Sequence, residues 1–196
     1  MKRLQWKGSR MRFYLVRHGQ TDWNNEKRFQ GHRNIPMNEA GIQQVNDLAD
    51  RIANEEICFD TMIASPLDRA KKTAEIIAEK TGFKKEIVFD EDFVERDCGA
   101  LEGEVWHSDL DLEDPKYRME TIPEMCDRAK RALDKYHFAE DETIMIVAHG
   151  AILMAVRTVL SDYKIDYYDR NDPVIQGNIL CCEKEEGKDP VFFNVF

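Results

Sequence analysis

The stretch Arg12-Phe-Tyr-Leu-Val-Arg-His-Gly-Gln-Thr21 decides the fold of this chain. Its apolar residues 13–16 predict a buried strand, and Arg17-His18-Gly19 predicts the loop that follows it. In α/β folds, ligands bind beyond the carboxyl ends of the strands. A cation beside an imidazole at this point indicates a site that holds an anion while the imidazole attacks it.

Strands and helices alternate along the rest of the chain. We predict strands at 12–16, 60–64, 86–89 and 143–148 and a closing pair at 178–182 and 191–196; we predict helices at 39–54, from Ser65-Pro66 to about Gly82, from Pro123 onward and at 151–160. Such alternation is typical of a three-layer α/β/α sandwich with a mainly parallel central sheet and helices on both faces.

Local signals place the ends of the helices. Asn38 is the predicted N-cap of the first long helix, and Gly82 suits a C-terminal stop. Ser65 is the predicted N-cap of the next helix, with Pro66 at its first position. The buried face of helix 39–54 is predicted to carry five apolar residues, Ile42, Val45, Leu48, Ala49 and Ile52.

Composition and charge exclude several classes of function. The chain has 196 residues, 42% of them hydrophobic, and a net charge of −10. This charge opposes general binding to nucleic acid or to an anionic membrane, and no apolar run approaches the length of a membrane span. Five cysteines without a CxxC pair indicate reduced thiols and a cytoplasmic protein. We predict a basic, disordered extension at 1–10 and one domain at 11–196.

Polar residues follow three of the predicted strands. Arg17-His18 follows the first strand, Ser65 with Arg69 one helical turn later follows the second, and His149-Gly150 follows the fourth. Parallel strands bring these ends to one edge of the sheet, close to helix N-termini that favour anions. Considered alone, His149 is equally consistent with a structural histidine and with a site residue. Arg69, considered alone, is more consistent with a solvated charge than with a site residue. Together, two arginines and two histidines indicate a phosphoryl group as ligand.

Two glycines adjoin these histidines. Gly19 and Gly150 lack a Cβ at points where a ligand would need close approach to the backbone. We therefore expect both glycines to make room for the bound anion.

Five ordered blocks between about 11 and 180 resemble the histidine phosphatase superfamily, the phosphoglycerate mutase-like proteins. The blocks are Arg17-His18-Gly19-Gln20-Thr21-Asp22-Trp23-Asn24; Gln30-Gly31 with Ile35-Pro36-Met37-Asn38 and Gly41; Ser65-Pro66-Leu67-Asp68-Arg69-Ala70 with Thr73-Ala74; Glu95, Gly99, Leu101, Glu102 and Gly103; and Ala148-His149-Gly150. Gln20 stands where the family more commonly has Glu. The resemblance implies a phosphoglycerate mutase-like fold.

The resemblance also implies roles for these residues. His18 would be the nucleophile that forms a phosphohistidine, and Glu95 would protonate the leaving group. The implied phosphate-binding residues are Arg17, Thr21, Asn24, Arg69, Arg96, His149 and Gly150. Glu102 is interpreted as a structural carboxylate of its loop. Neither a metal nor another cofactor is implied, and no His, Cys or carboxylate cluster has convincing ligand spacing.

Three functions remain open at this point. The sequence favours a metal-independent phosphomonoesterase acting on a small phosphorylated metabolite, because the segment after Glu95 is rich in carboxylates. A phosphoglycerate mutase is the alternative, since Glu95-Arg96-Asp97-Cys98-Gly99 is similar to the mutase form of this loop. A binding module without catalysis is the third. Residues 104–121 are the predicted substrate cap, with Trp106 and His107 as candidate contacts.

Two further questions also stay open. Cys98 lies near the predicted acid and is either redox-sensitive or a small buried thiol, the second being favoured. The oligomeric state is not determined, and a homodimer is one option.

Overall fold

A computed structural model describes residues 10–169, 171 and 173–196 of the chain. Residues 1–9 of the extension predicted at 1–10 lie outside these residues, whereas Arg10 belongs to the first strand. The strands are β1 (Arg10–Arg17), β2 (Thr61–Ala64), β3 (Val88–Phe89), β4 (Thr143–Ala148), β5 (Ile179–Glu185) and β6 (Val191–Asn194). The helices are α1 (Asp22–Asn25), α2 (Glu39–Asn54), α3 (Asp68–Thr81), α4 (Ile122–Asp134) and α5 (Gly150–Leu160).

The six strands form one sheet in the order β3-β2-β4-β1-β5-β6. β1, β2, β3 and β4 run parallel, β5 is antiparallel to β1, and β6 is antiparallel to β5. In the β1–β4 ladder Arg17 pairs with Ala148, which brings the carboxyl ends of these strands together. The predicted mainly parallel sheet is confirmed.

Alternating residues of the central strands pack on opposite faces of the sheet. Phe13 and Leu15 of β1 belong to a core formed with α4 and α5. Tyr14 and Val16 belong to a second core, formed with α2 and α3. Helices therefore cover both faces, and the three-layer α/β/α architecture is confirmed.

The helix ends agree with the sequence signals except at the N-terminal end of α3. Asn38 caps α2 by accepting a hydrogen bond from the amide of Gly41, and Gly82 ends α3 with a φ of 70°. Ser65 is not the N-cap of α3, and Pro66 is not its first residue. The helix begins at Asp68 with Leu67 at the cap position, because Ser65 and Pro66 form the turn that leads out of β2.

Other boundaries also differ from the predictions. β3 contains only Val88 and Phe89 of the predicted 86–89. Ile42, expected on the buried face of α2, is 40% exposed, whereas the other four predicted residues are buried. The segment 104–121, the predicted cap, contains one short 3₁₀ turn at Pro115–Tyr117. Its start lies against residues 27–29 through a bridge between Val105 and Arg28.

Candidate active site

A cavity of about 210 Å3 lies where β1, β2 and β4 end. The amide of His18 donates to the carbonyl of Ala148, and the amide of Ser65 donates to that of Val147, so the three strand ends are joined. The cavity is lined by Arg17, His18, Asn24, Arg28, Phe29, Gln30, Gly31, Arg69, Glu95, Arg96, Cys98, Met119, Ala151 and Tyr167. Six of the nine predicted site residues therefore border one space; Thr21, His149 and Gly150 do not.

His18 is held in one tautomer. Its Nδ1 lies 2.7 Å from the carbonyl oxygen of Gly19, and since a carbonyl only accepts, Nδ1 carries the hydrogen of the neutral ring. Among the described residues Nε2 has no hydrogen-bond partner. Burial and the charges of Arg69 and Arg17 lower the pKa of His18 well below its usual value. The ring is therefore neutral at pH 7, with the Nε2 lone pair available for attack.

Arg69 is fully buried and fixed by three acceptors. Its Nε donates to Nδ1 of His149 over 3.1 Å, and its two terminal nitrogens donate to the carbonyls of Arg33 and Gly31. Burial lowers the pKa of Arg69 to about 10, so the side chain stays charged at pH 7. This cation is oriented before any ligand arrives.

Arg17, the last residue of β1, supplies a second cation. Its Nε is buried and has no hydrogen-bond partner in the described part of the chain. Burial lowers the pKa of Arg17, and the nearby Glu95 opposes this effect. Arg17 also lines the cavity beside His18, where a guanidinium fits an anionic ligand oxygen.

His149 lies outside the cavity lining and accepts a hydrogen bond from Arg69. Because Nδ1 accepts from Arg69, the hydrogen of the neutral ring is on Nε2, which donates to Oγ of Ser65 over 2.7 Å. The ring is fully buried, and its centroid lies 5.1 Å from that of His18. Both nitrogens of His149 are thus satisfied within the protein. Ser65, predicted as a helix cap, instead fixes the tautomer of this histidine.

The carboxylate of Glu95 lies against the N-terminus of α5. Oε1 accepts from the amide of Ala151 over 3.1 Å, from that of Ile152 over 3.2 Å and from that of Arg96 over 2.9 Å. These donors are the free N–H groups that a helix N-terminus offers to an anion. Glu95 is thereby held at the rim of the cavity that contains His18.

Thr21, a predicted phosphate-binding residue, lies outside the residues that line the cavity. It is fully buried, its hydroxyl donates to Oδ1 of Asn24, and it caps α1 in a reciprocal capping box with Asn24. Its hydroxyl is therefore engaged before any phosphate arrives. Gln176 was not predicted from the sequence; its Nε2 donates to the carbonyl of His18 and to Oδ1 of Asn24.

The two glycines allow close approach of protein atoms. A Cβ on Gly19 would lie 2.5 Å from the carbonyl oxygen of Gly41 at the start of α2. A Cβ on Gly150 would lie 3.3 Å from Cζ of Arg17. Gly19 lets the loop after β1 pack on α2, and Gly150 lets α5 begin directly beside the Arg17 guanidinium.

The remaining predicted residues lie as follows. Arg96 lines the cavity and donates from Nε to the carbonyl of Glu120. Glu102 accepts from the amide of His32 and from Nε of Arg33, which agrees with its interpretation as a structural carboxylate. Trp106 is 50% exposed, and neither it nor the exposed His107 lines the cavity.

Cys98 borders the cavity as a buried thiol. Burial raises the pKa of this thiol to about 12, with Glu95 adding to the effect. Since thiolates are the reactive form of cysteine, this environment favours the structural interpretation over redox activity.

A larger groove of about 1180 Å3 adjoins the cavity that contains His18. The two share Arg96 and Met119, and the groove continues along residues 112–124. Its acidic lining residues are Glu91, Asp97, Glu113, Asp114, Glu120, Glu124 and Asp127. The same groove is also lined by four arginines, Arg96, Arg118, Arg128 and Arg131. The organic part of a ligand whose anionic group reaches His18 would therefore meet charges of both signs, with carboxylates in the majority.

The arrangement provides the groups that phosphoryl transfer needs. His18 offers a neutral nitrogen, Arg17 and Arg69 offer positive charge beside it, and Glu95 offers a carboxyl. Phosphoryl transfer depends chiefly on positioning and on stabilisation of the charge on the oxygens. The described residues contain no group of three or more His, Cys, Asp and Glu that could hold a metal ion.

We predict that stability depends on pH through the two buried histidines. Burial and the nearby arginines lower the pKa of both His18 and His149 well below 6.5. When the pH falls below 6.5, the unfolded chain binds protons that the folded chain does not, so the free energy of unfolding decreases. Each such histidine contributes a slope of up to about 1.4 kcal/mol per pH unit.

Urea unfolding of the wild type and of His18→Gln between pH 7 and pH 5 measures this effect. We expect a shallower loss of stability in the variant, since one buried histidine is missing. Equal slopes in the two proteins would show that His18 titrates normally in the folded state.

The chain is similar to known proteins in its sequence and in its fold. The family described as "Histidine phosphatase superfamily (branch 1)" matches residues 13–179. The "Uncharacterized phosphatase PhoE" of Bacillus subtilis is 38% identical over 156 residues, which cover 75% of this chain and 76% of that protein. The "Metal-independent phosphoserine phosphatase" of Arabidopsis thaliana is 34% identical over 159 residues, covering 72% of this chain and 65% of that protein.

A solved structure extends the similarity to the whole fold. A mutant phosphoserine phosphatase from Entamoeba histolytica, in complex with phosphoserine, superposes with a TM-score of 0.74 at 26% identity, covering 93% of this chain and 94% of that one. In the described part of the chain no helix has the length and apolar character to cross a membrane.

Proposed function

This chain belongs to the histidine phosphatase superfamily and is a phosphatase, and from that premise we propose that it hydrolyses small phosphomonoesters without a metal, through a phosphohistidine on His18. The observation that carries the proposal is the state of His18: a buried neutral imidazole with Nδ1–H donating to Gly19 and Nε2 unpartnered among the described residues, beside two buried arginines. This combination suits nucleophilic attack on a phosphoryl group.

In the first step, Nε2 of His18 attacks phosphorus and the bond from phosphorus to the ester oxygen breaks. Arg17 and Arg69 stabilise the charge on the phosphoryl oxygens, and protonated Glu95 gives its proton to the leaving alkoxide. In the second step, Glu95 takes a proton from water, the resulting hydroxide attacks phosphorus, and the phosphorus–nitrogen bond breaks to release phosphate. Two displacements on one phosphorus restore both His18 and Glu95.

The substrate in this proposal is a small phosphorylated metabolite that bears a positive charge, with phosphoserine as the first candidate. The adjoining groove is lined by carboxylates and by arginines, Arg96 among them, which suits a zwitterion whose amino group meets a carboxylate and whose carboxylate meets an arginine. Two of the similar proteins bear the name phosphoserine phosphatase. We also place the protein in the cytoplasm, which is consistent with its five free cysteines.

Phosphate release from p-nitrophenyl phosphate and from a panel of metabolites, with and without a chelator, tests this proposal. We expect turnover that the chelator leaves unchanged, and faster release from phosphoserine than from the phosphoglycerates. Loss of turnover on chelation, restored by a divalent cation, would overturn metal independence.

The same panel tests the mutase alternative. Interconversion of 3- and 2-phosphoglycerate that exceeds phosphate release would establish a mutase and contradict the proposed hydrolase. Residues 104–121 are the part of the chain that we propose to select the substrate, since Met119 borders both the cavity and the groove.

A further inference from the structure

We propose that Arg128, held by Glu120, is a positioning residue that fixes the backbone of Glu95 so that its carboxyl reaches the leaving oxygen. This inference rests on the acid role of Glu95 in the proposed function. Arg128 lies in α4, outside every block of the sequence that indicated a site. Its side chain is 12% exposed.

The guanidinium of Arg128 binds the acid loop, which we define as residues 92–98. It donates from one terminal nitrogen to the carbonyls of Asp92 and Val94, over 2.9 and 2.8 Å, and from the other to the carbonyl of Glu95 over 3.2 Å. Three carbonyls of a segment with little regular structure thus converge on one side chain. A single planar cation with several donors is suited to this task, whereas a lysine is not.

Glu120 fixes the guanidinium from the other side. Its carboxylate accepts from Nε of Arg128 over 2.7 Å and from a terminal nitrogen over 2.6 Å, a bidentate pair. The backbone of Glu120 is tied to the same loop, because its amide donates to the carbonyl of Asp97 and its carbonyl accepts from Nε of Arg96. The pair therefore joins α4, the end of segment 104–121 and the acid loop.

Glu95 is consequently held at two points. The N-terminus of α5 binds its carboxylate, and Arg128 binds its backbone together with Nε2 of His32, which lies 2.8 Å from the Glu95 carbonyl. A general acid must lie within hydrogen-bond reach of the oxygen that it protonates. Loosening the backbone anchor lets the carboxyl move, and displacements of about 1 Å can reduce turnover by about a hundredfold.

Arg131 provides a matched control on the same helix. It pairs with the side chain of Asp92 over 2.9 Å, is 59% exposed, and makes no hydrogen bond to the carbonyl of Val94 or Glu95. Arg131→Lys makes the same change from guanidinium to ammonium as Arg128→Lys, and it also alters an ion pair next to the acid loop. It leaves the anchor of Glu95 in place.

The test compares leaving groups in Arg128→Lys, Arg131→Lys and Glu95→Gln. Alkyl phosphates such as phosphoserine need a proton on the leaving oxygen, whereas p-nitrophenolate leaves with little help. The rate compared is that of the first step, measured in a single turnover, because the second step hydrolyses the same phosphohistidine whichever ester was bound. We expect Arg128→Lys to slow the first step on phosphoserine, or on the best alkyl ester of the panel, by about 10- to 100-fold, and to slow the burst of p-nitrophenolate by less than about threefold. Glu95→Gln should show the same selectivity more strongly, and Arg131→Lys should show none.

Other outcomes would overturn the proposal. Suppose that Glu95→Gln slows the alkyl ester more than the aryl ester, whereas Arg128→Lys slows the two esters equally or slows neither. Arg128 then does not position the acid, and the proposed function stands. If Glu95→Gln is itself unselective, the acid assignment fails and the positioning role fails with it. Should Arg128→Lys not fold, as judged by urea unfolding, Glu120→Gln is measured in its place against the same expectation.

Discussion

His18→Ala is expected to lower phosphate release from every substrate by on the order of 10⁴-fold or more, the scale on which loss of a covalent nucleophile acts. The variant removes the only atom that the proposed first step joins to phosphorus. It keeps Arg17 and Arg69, so binding of phosphate should survive. The measurement is single-turnover and steady-state phosphate release, with phosphate binding measured separately.

An exposed histidine gives the control for this experiment. His137 follows α4 and lies outside the residues that line the cavity, so His137→Ala should retain wild-type turnover. Activity in His18→Ala within about tenfold of the wild type would contradict the nucleophilic role, because general acid catalysis alone supplies only about 10²- to 10⁴-fold.

Glu95→Gln is expected to reduce kcat on alkyl phosphates by about 10²- to 10⁴-fold, the usual contribution of a general acid. The amide keeps an oxygen that can accept from Ala151 and Ile152 at the start of α5, so the loop should stay in place. It has no proton to give to an alkoxide. On p-nitrophenyl phosphate the first step should be nearly normal, leaving hydrolysis of the phosphohistidine as the slow step.

A burst of p-nitrophenolate in Glu95→Gln, followed by slow turnover, is the specific sign of this change. Glu86→Gln is the matched control, since Glu86 is exposed and lines neither the cavity nor the groove. Equal losses on alkyl and aryl esters, without a burst, would mean that Glu95 holds the loop and does not transfer the proton.

The strand ends were predictable because hydrophobic patterning determines which segments form the sheet. Four of the polar residues that follow predicted strands, Arg17, His18, Ser65 and His149, meet in space because β1, β2 and β4 are parallel neighbours. Arg69 follows from the same logic, one helical turn into α3. The alternation of strands and helices along the sequence was sufficient to predict the three-layer architecture.

Contacts between distant segments were not predictable from local patterns. Ser65 is a good N-cap by type, yet its hydroxyl bonds His149, 84 positions later. Gln176 reaches the carbonyl of His18 from a segment that gave no sequence signal. Thr21 was expected to bind phosphate, and a threonine before a short helix also satisfies the free amides of that helix, as it does here.

The acid loop shows the same division between predictable and unpredictable features. The sequence block that begins in this loop identified Glu95, but nothing in the sequence connected Glu95 to Arg128, 33 positions later. In the sequence, Arg128 is one of several charged residues on an amphipathic helix, and nothing in the pattern separates it from the others. Only its burial and its three carbonyl contacts distinguish it from Arg131.

Direct trapping of the phosphohistidine tests the central claim most directly. The protein is mixed with a radiolabelled phosphomonoester and quenched in alkali within one turnover, because phosphohistidine is labile in acid and stable in base. We predict label on His18 in the wild type, more label in Glu95→Gln with an aryl phosphate, and none in His18→Ala. Turnover by the wild type with no label on any histidine, or with label on a residue other than His18, would contradict the account.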